Sequence, residues 1–163
     1  NQDTIGDVGF DAILLPEGGA RLRSIAPLLA FYDVDPTLVK LLGTGLWDEP
    51  NLGLEPTLVG GWFAGPPPDV GASFRSRYRE IFGNPPPRLA SLAYDATALA
   101  AVLARQRTRP DYSHEALTNV SGFTGVDGLF RFGLNGIAER GLAILEVRRG
   151  GFKIVSPAPS VFD

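Results

Sequence analysis

A chain of 163 residues, 44% of them hydrophobic, is long enough to bury one core. Its 15 basic against 18 acidic residues give a net charge of −3, with no basic run to offer nucleic acid. Cysteine and methionine are absent, which removes disulfides and thiolate metal sites and leaves the redox compartment open. The longest apolar stretch, 89–104, is interrupted by Tyr94, Asp95 and Thr97 and falls short of the roughly 20 residues that span a bilayer.

The chain opens at Asn1 with neither a methionine nor a signal peptide, and it reads as a processed or excised piece whose export signal would lie upstream. Residues 1–9 are polar and glycine-containing, a lead-in. Asp11–Pro16, DAILLP, is a short continuous apolar run closed by proline, the pattern of a strand buried on both faces. The Glu17-Gly18-Gly19 turn follows, then a helical pattern with Leu22, Ile25, Leu28, Leu29 and Tyr32 on one stripe. Pro27 inside it predicts a kink or an early boundary. Leu38–Gly43 is a second apolar strand, with a loop and a short helical turn over Thr44–Asp48. Leu58–Ala64 is a third, closed by Gly65 and three prolines. Asp69 is the expected N-cap of a helix with Val70, Phe74, Tyr78, Ile81 and Phe82 on its apolar stripe and Gly83 just past its end. Strands alternating with helices predict an α/β fold with a doubly wound, mostly parallel sheet.

Arg88–Arg105 is the longest periodic element. Leu89, Leu92, Ala96, Leu99 and Leu103 recur at helical spacing, and alanines fill most other positions, so the helix can lie close against something flat. Pro85, Pro86 and Pro87 stop whatever precedes it, and Arg105 and Arg107 sit at its end, where cations suit the dipole. Residues 110–120 read as a loop and a short helix with Ser113 and Glu115 near its start. Beyond Gly122 the pattern turns antiparallel: GLFRFG, a turn at Asn135-Gly136, LAILEVRRGG and FKIVSP joined at Gly150-Gly151, a C-terminal β-meander added to a sheet edge.

Little in the chain can carry chemistry. The single histidine, His114, lies beside Ser113 and near Asp111 and Glu115, but a serine hydrolase needs its groups to converge from separate elements, so no catalytic residue and no enzyme is predicted. One His and no Cys leave no transition-metal set, no EF-hand spacing is present, and no cofactor motif is complete: Gly43-Thr44-Gly45 lacks the lysine of a phosphate loop, and Asp48 stands where a dinucleotide motif needs glycine. Trp47 and Trp62 fall at or near the carboxyl ends of predicted strands, the edge that faces the ligand crevice in open parallel sheets, with packing in the core or against a neighbouring lobe as the alternative for both. Tyr94 and Asp95 either project into a crevice or else Tyr94 packs with its hydroxyl at a wet edge and Asp95 is solvated or caps a neighbouring backbone. Asp127 and Arg131 read as a charge pair within a hairpin.

Taken together, FDAILLPEGGARLRSIAPLL, KLLGTGLWDE, LVGGWFAGPPP, RLASLAYDATALAA and the tail from Gly122 to Pro159 resemble the C-terminal half of a type I periplasmic solute-binding protein. More narrowly they are similar to the leucine/isoleucine/valine-binding group and to its relatives, the lipoprotein activators of penicillin-binding proteins. The segment SLAYDATALAA and the TG-x-DG-x-FRF hairpin carry most of the likeness. The resemblance implies two α/β lobes closing on a ligand about a hinge. On that reading the whole of 1–163 is a fragment: residues 10–83 form an α/β part of the second lobe, 84–122 a helical return to the first, and 123–163 a β-meander crossing back. The helix at 88–105 would then lack its natural neighbour or find it in another copy of the chain.

The same resemblance implies a bacterial, exported, periplasmic protein without catalysis, and a ligand contacted by Thr44, Gly45, Trp47, Trp62 and Tyr94. Its partners would be a small solute and the membrane subunits of an ABC transporter or, in the activator branch, a peptidoglycan synthase. Amino-acid receptors of this type place an acidic residue on the loop that here reads Gly43-Thr44-Gly45-Leu46-Trp47, and an aromatic residue where Glu17-Gly18-Gly19 stands. These departures shift the expected ligand from a free amino acid toward another small solute or a protein.

Overall fold

The computed structural model describes residues 9–105 and 109–162; all of the lead-in expected over 1–9 except Gly9, and the cation at Arg107, lie outside them. The chain is α/β, with strands β1 Ala12–Leu15, β2 Lys40–Gly43, β3 Trp62–Gly65, β4 Phe123–Gly125, β5 Gly128–Phe132, β6 Ala138–Arg140, β7 Ala143–Arg148 and β8 Gly151–Ser156. Its helices are α1 Gly19–Phe31, α2 Ala72–Phe82, α3 Leu89–Arg105 and the single turn α4 His114–Leu117. One sheet has the order β1-β2-β3-β7-β8, the first three strands parallel and the last two antiparallel; the other is an antiparallel β4-β5-β6. The expected C-terminal meander is thus divided, its first three strands making a sheet of their own and its last two completing the parallel sheet. Two compact units result: unit 1 runs through Gly65 and takes back Ala143–Pro157, while unit 2 holds Pro66–Leu142 and the described residues from Ala158 onward.

In unit 1 one sheet face carries the core. Leu41, Phe63, Leu145 and Val147 are buried there with Leu22 and Ala26 of α1, Trp47, Leu52 and Leu58. Phe63 packs edge-on against Phe152 at 4.9 Å, and Trp47 tilts against Phe63 at 6.3 Å. The opposite face presents Leu14, Leu42, Trp62, Ala64 and Ile144, none of them buried. The strand expected to be buried on both faces, β1, lies at the sheet edge instead, and Leu14 is 60% exposed. Helix α1 continues past Pro27, so the proline marks no early boundary, and the ring falls on the exposed side of the helix. Its buried stripe is accordingly Leu22 and Ala26, with Leu28 and Tyr32 left outside.

In unit 2, Leu99 and Leu103 of α3 bury against Phe130 of β5, with Phe123, Phe132, Ala116 and Leu117 packed around them. Gly83 ends α2 in the left-handed region at φ 75° and donates its amide to the Arg79 carbonyl, as the sequence predicts. The N-cap of α2 is Gly71 rather than Asp69, so the helix starts two residues late. Gly71 is itself left-handed, and a side chain there would run into the Val126 carbonyl. The buried positions of α3 are Ser91, Asp95, Leu99 and Leu103, while Leu89, Leu92 and the alanines at 93, 96 and 100 remain exposed.

Candidate functional site

The parallel strands β1, β2 and β3 end together at Leu15, Gly43 and Gly65, so the segments that follow them share one edge of unit 1. In open α/β sheets that edge faces the ligand. Thr44 caps a 3-10 turn over Gly45–Trp47, its hydroxyl accepting the Leu46 amide at 3.3 Å, and both Thr44 and Gly45 are half-buried at the rim. The start of α1 presses against this turn so closely that a side chain on Gly18 would meet the Leu46 carbonyl at 2.9 Å.

Trp47 lies beneath this turn. It is fully buried, its indole N–H donates to the Leu15 carbonyl at 3.2 Å, and its ring occupies the space a side chain on Gly43 would need. Trp47 therefore braces the loop from below, tying the ends of β1 and β2 together. Trp62 is placed differently from the sequence expectation: Leu58 ends a 3-10 turn over Pro56–Leu58 and the chain turns again at Val59 and Gly60, so β3 begins at Trp62 and the side chain stands on the open sheet face, away from the carboxyl ends of the strands. There its indole donates to Glu146 at 3.2 Å and the Lys40 ammonium sits 4.9 Å above its ring.

One residue at this edge escaped the sequence reading. Glu49 accepts the Gly19 amide at 2.8 Å through one carboxylate oxygen and the Arg23 guanidinium at 3.0 Å through the other. A signal existed: α1 follows a glycine N-cap, Gly18, and has no acidic residue in its first turn, so its free amides call for an acceptor from elsewhere in the chain.

Unit 2 carries the remaining candidates. Tyr94 is 46% exposed, its ring 5.1 Å from Phe74 of α2. Its neighbour Asp95 is only 4% exposed, not solvated, and accepts the Val126 amide at 2.8 Å, capping the β4–β5 turn as one of the sequence readings holds. Gly125 packs directly on this carboxylate, leaving Oδ2 without a hydrogen bond. Burial pushes the Asp95 carboxyl above its ordinary value, and the nearby Asp127 charge adds to the rise, against the opposing pull of the Val126 amide. Asp127 accepts the Ser91 hydroxyl at 2.5 Å, while Arg131 bonds to Glu139 at 2.7 Å across β5 and β6; the expected partners thus each serve a different neighbour.

A groove of about 450 Å³ in unit 2 is lined by His114, Leu117, Phe132, Leu134 and Asn135. Its imidazole Nε2 already lies 3.2 Å from the Leu134 carbonyl, and the Ser113 hydroxyl is used to cap α4 by accepting the Ala116 amide, so Ser113 and His114 form no nucleophile–base pair. Among the described residues no group of His, Cys, Asp and Glu could hold a metal ion, and no helix is long and apolar enough to cross a membrane.

No protein-family model matches the chain, and no curated protein matches it. Solved structures do. A Rhodospirillum rubrum protein assigned to branched-chain amino acid ABC transport is 25% identical, with a TM-score of 0.70 over 89% of this chain and 44% of its own. The branched-chain amino acid substrate-binding protein LivJ of Streptococcus pneumoniae, solved with isoleucine, is 19% identical, TM-score 0.62, over 93% of this chain and 46% of its own. A solute-binding protein of an ABC transporter from R. palustris, solved with benzoate, is 16% identical, TM-score 0.60, over 94% and 44%. The fold is that of the type I periplasmic binding proteins, and the chain spans less than half the length of these structures.

Proposed function

We propose that this chain is the ligand-contacting part of an exported, periplasmic solute-binding protein serving a transporter, and that it performs no catalysis. The observation that carries the reading is the braced turn at the carboxyl edge of β1 and β2, where Trp47 fixes the Thr44-Gly45 rim from below. A receptor gains affinity when its contacts are ordered before the solute arrives. Thr44 and Gly45 are the proposed contacts on unit 1, with Trp47 as their support, and Tyr94 is a separate candidate contact on unit 2. Trp62, already engaged by Glu146 and Lys40, serves the sheet face. The neighbours solved with isoleucine and with benzoate support a small solute.

A thermal-shift panel on the mature protein tests this, using branched-chain amino acids, their amides, aromatic acids and cell-wall peptides. A solute at 100 times its Kd stabilises the folded state by about 2.7 kcal/mol, a readily measured rise in Tm. Silence from the whole panel with a well-folded protein would sink the receptor reading and turn attention to the synthase-activator alternative, tested by binding to a peptidoglycan synthase.

A further inference from the structure

A helix N-terminus at the carboxyl edge of a parallel sheet is where an α/β lobe ordinarily receives a carboxylate or phosphate, because free amides and the dipole both favour negative charge. In unit 1 that position is taken. The Glu49 carboxylate bonds the Gly19 amide at 2.8 Å, and its second oxygen is held by Arg23, one turn into the same helix, at 3.0 Å. The contact joins residues 30 apart in sequence, so it is a tertiary device rather than an ordinary local cap. The loop is shaped to deliver it. Gly43 leaves room for Trp47, Trp47 anchors the turn to Leu15, the Glu49 amide bonds the Trp47 carbonyl at 2.8 Å, and Gly18 lets α1 begin in contact with Leu46.

We propose that Glu49 is a built-in anion that closes the start of α1 to ligand carboxylates and phosphates, so that unit 1 meets the solute with its neutral or cationic part. The proposal refines the receptor reading and rests on it for its consequence, but the plug itself can be tested without any solute. It also names a consequence for ligand class: a carboxylate, if the solute has one, is held by groups other than the amides that open α1.

The experiment is an amide NMR titration of the chain with inorganic phosphate and, separately, with benzoate, comparing the native protein with Glu49→Ala and Glu49→Gln. In the native protein the Gly19 and Ala20 amides stay in place with either anion. In Glu49→Ala they shift saturably, with an affinity for phosphate at least tenfold above that of the native chain, and Glu49→Gln, which keeps an acceptor without the charge, falls between. Saturable movement of the Gly19 amide in the native protein overturns the proposal. So does a Glu49→Ala chain with a native-like spectrum that fails to take either anion, and Glu49→Gln guards against an alanine variant that does not fold. None of these outcomes depends on the solute panel, so a silent panel removes the receptor reading while leaving the plug to stand or fall separately.

Discussion

Unit 1 and unit 2 hold a turn in place by opposite means. In unit 1 a fully buried tryptophan fills the space under the Thr44-Gly45 turn, and one indole hydrogen bond to Leu15 sets its direction. In unit 2 a buried carboxylate, Asp95, holds the β4–β5 turn through the Val126 amide, with one oxygen left unpaired against Gly125. Apolar bracing derives its strength from area and close packing and is indifferent to pH. A buried carboxylate ties its strength to protonation, because desolvation penalises the charged form. The two units should therefore respond differently to truncation, to added bulk and to acid.

The largest effect is expected from Trp47→Ala, which empties the brace and should cost about 3–5 kcal/mol by denaturant unfolding, by the same amount at pH 5 as at pH 7. Gly125→Ala comes next. Its new methyl group would occupy the place of the Asp95 carboxylate, and a loss of about 1–3 kcal/mol is expected, seen first as faster amide hydrogen exchange in β4 and β5.

Asp95 itself separates the two mechanisms. Its folded-state pKa lies above the unfolded value of 3.8, so folding favours the protonated acid; the stability this confers is complete below the unfolded pKa and is lost as pH rises through the raised folded value. Asp95→Asn, which keeps an acceptor for the Val126 amide and cannot ionise, should flatten this dependence and gain on the native protein as pH rises from about 4. Asp95→Ala, which leaves that amide without its acceptor, should lose about 1–3 kcal/mol. A native unit 2 whose stability rises steadily over the same range would contradict the assignment. The smallest effect is expected from Tyr94→Phe: it keeps the ring against Phe74 and should leave stability within about 0.5 kcal/mol, so any larger change in solute affinity reports on contact alone.

Local chemistry was readable in the sequence where a single residue decides it. Gly83 ends α2, Ser113 lies at the start of α4, and Gly136, at φ 76°, turns the chain between β5 and β6, with Asn135 accepting the Ile137 amide. Periodicity also placed α3 within a residue of its observed start. Tertiary placement was less accessible. An apolar run such as Ala12–Leu15 has the same composition in the centre of a sheet as at its edge, and no local signal distinguishes β4–β6 from β7 and β8 as members of different sheets. The candidate site divides in the same way. That Thr44 and Gly45 follow a strand could be read locally, whereas the burial of Trp47 and the reach of Glu49 to Gly19 depend on contacts made across some thirty residues of chain.

The most direct measurement is an amide and indole NMR titration of the mature protein with the solute that gives the largest thermal shift. Saturable movement of the Thr44 and Gly45 amides, with the Trp62 indole unmoved, is the predicted result. Saturable movement confined to the His114–Leu134 groove of unit 2, or to the open sheet face around Trp62, would contradict the placement of the solute at the strand ends of unit 1.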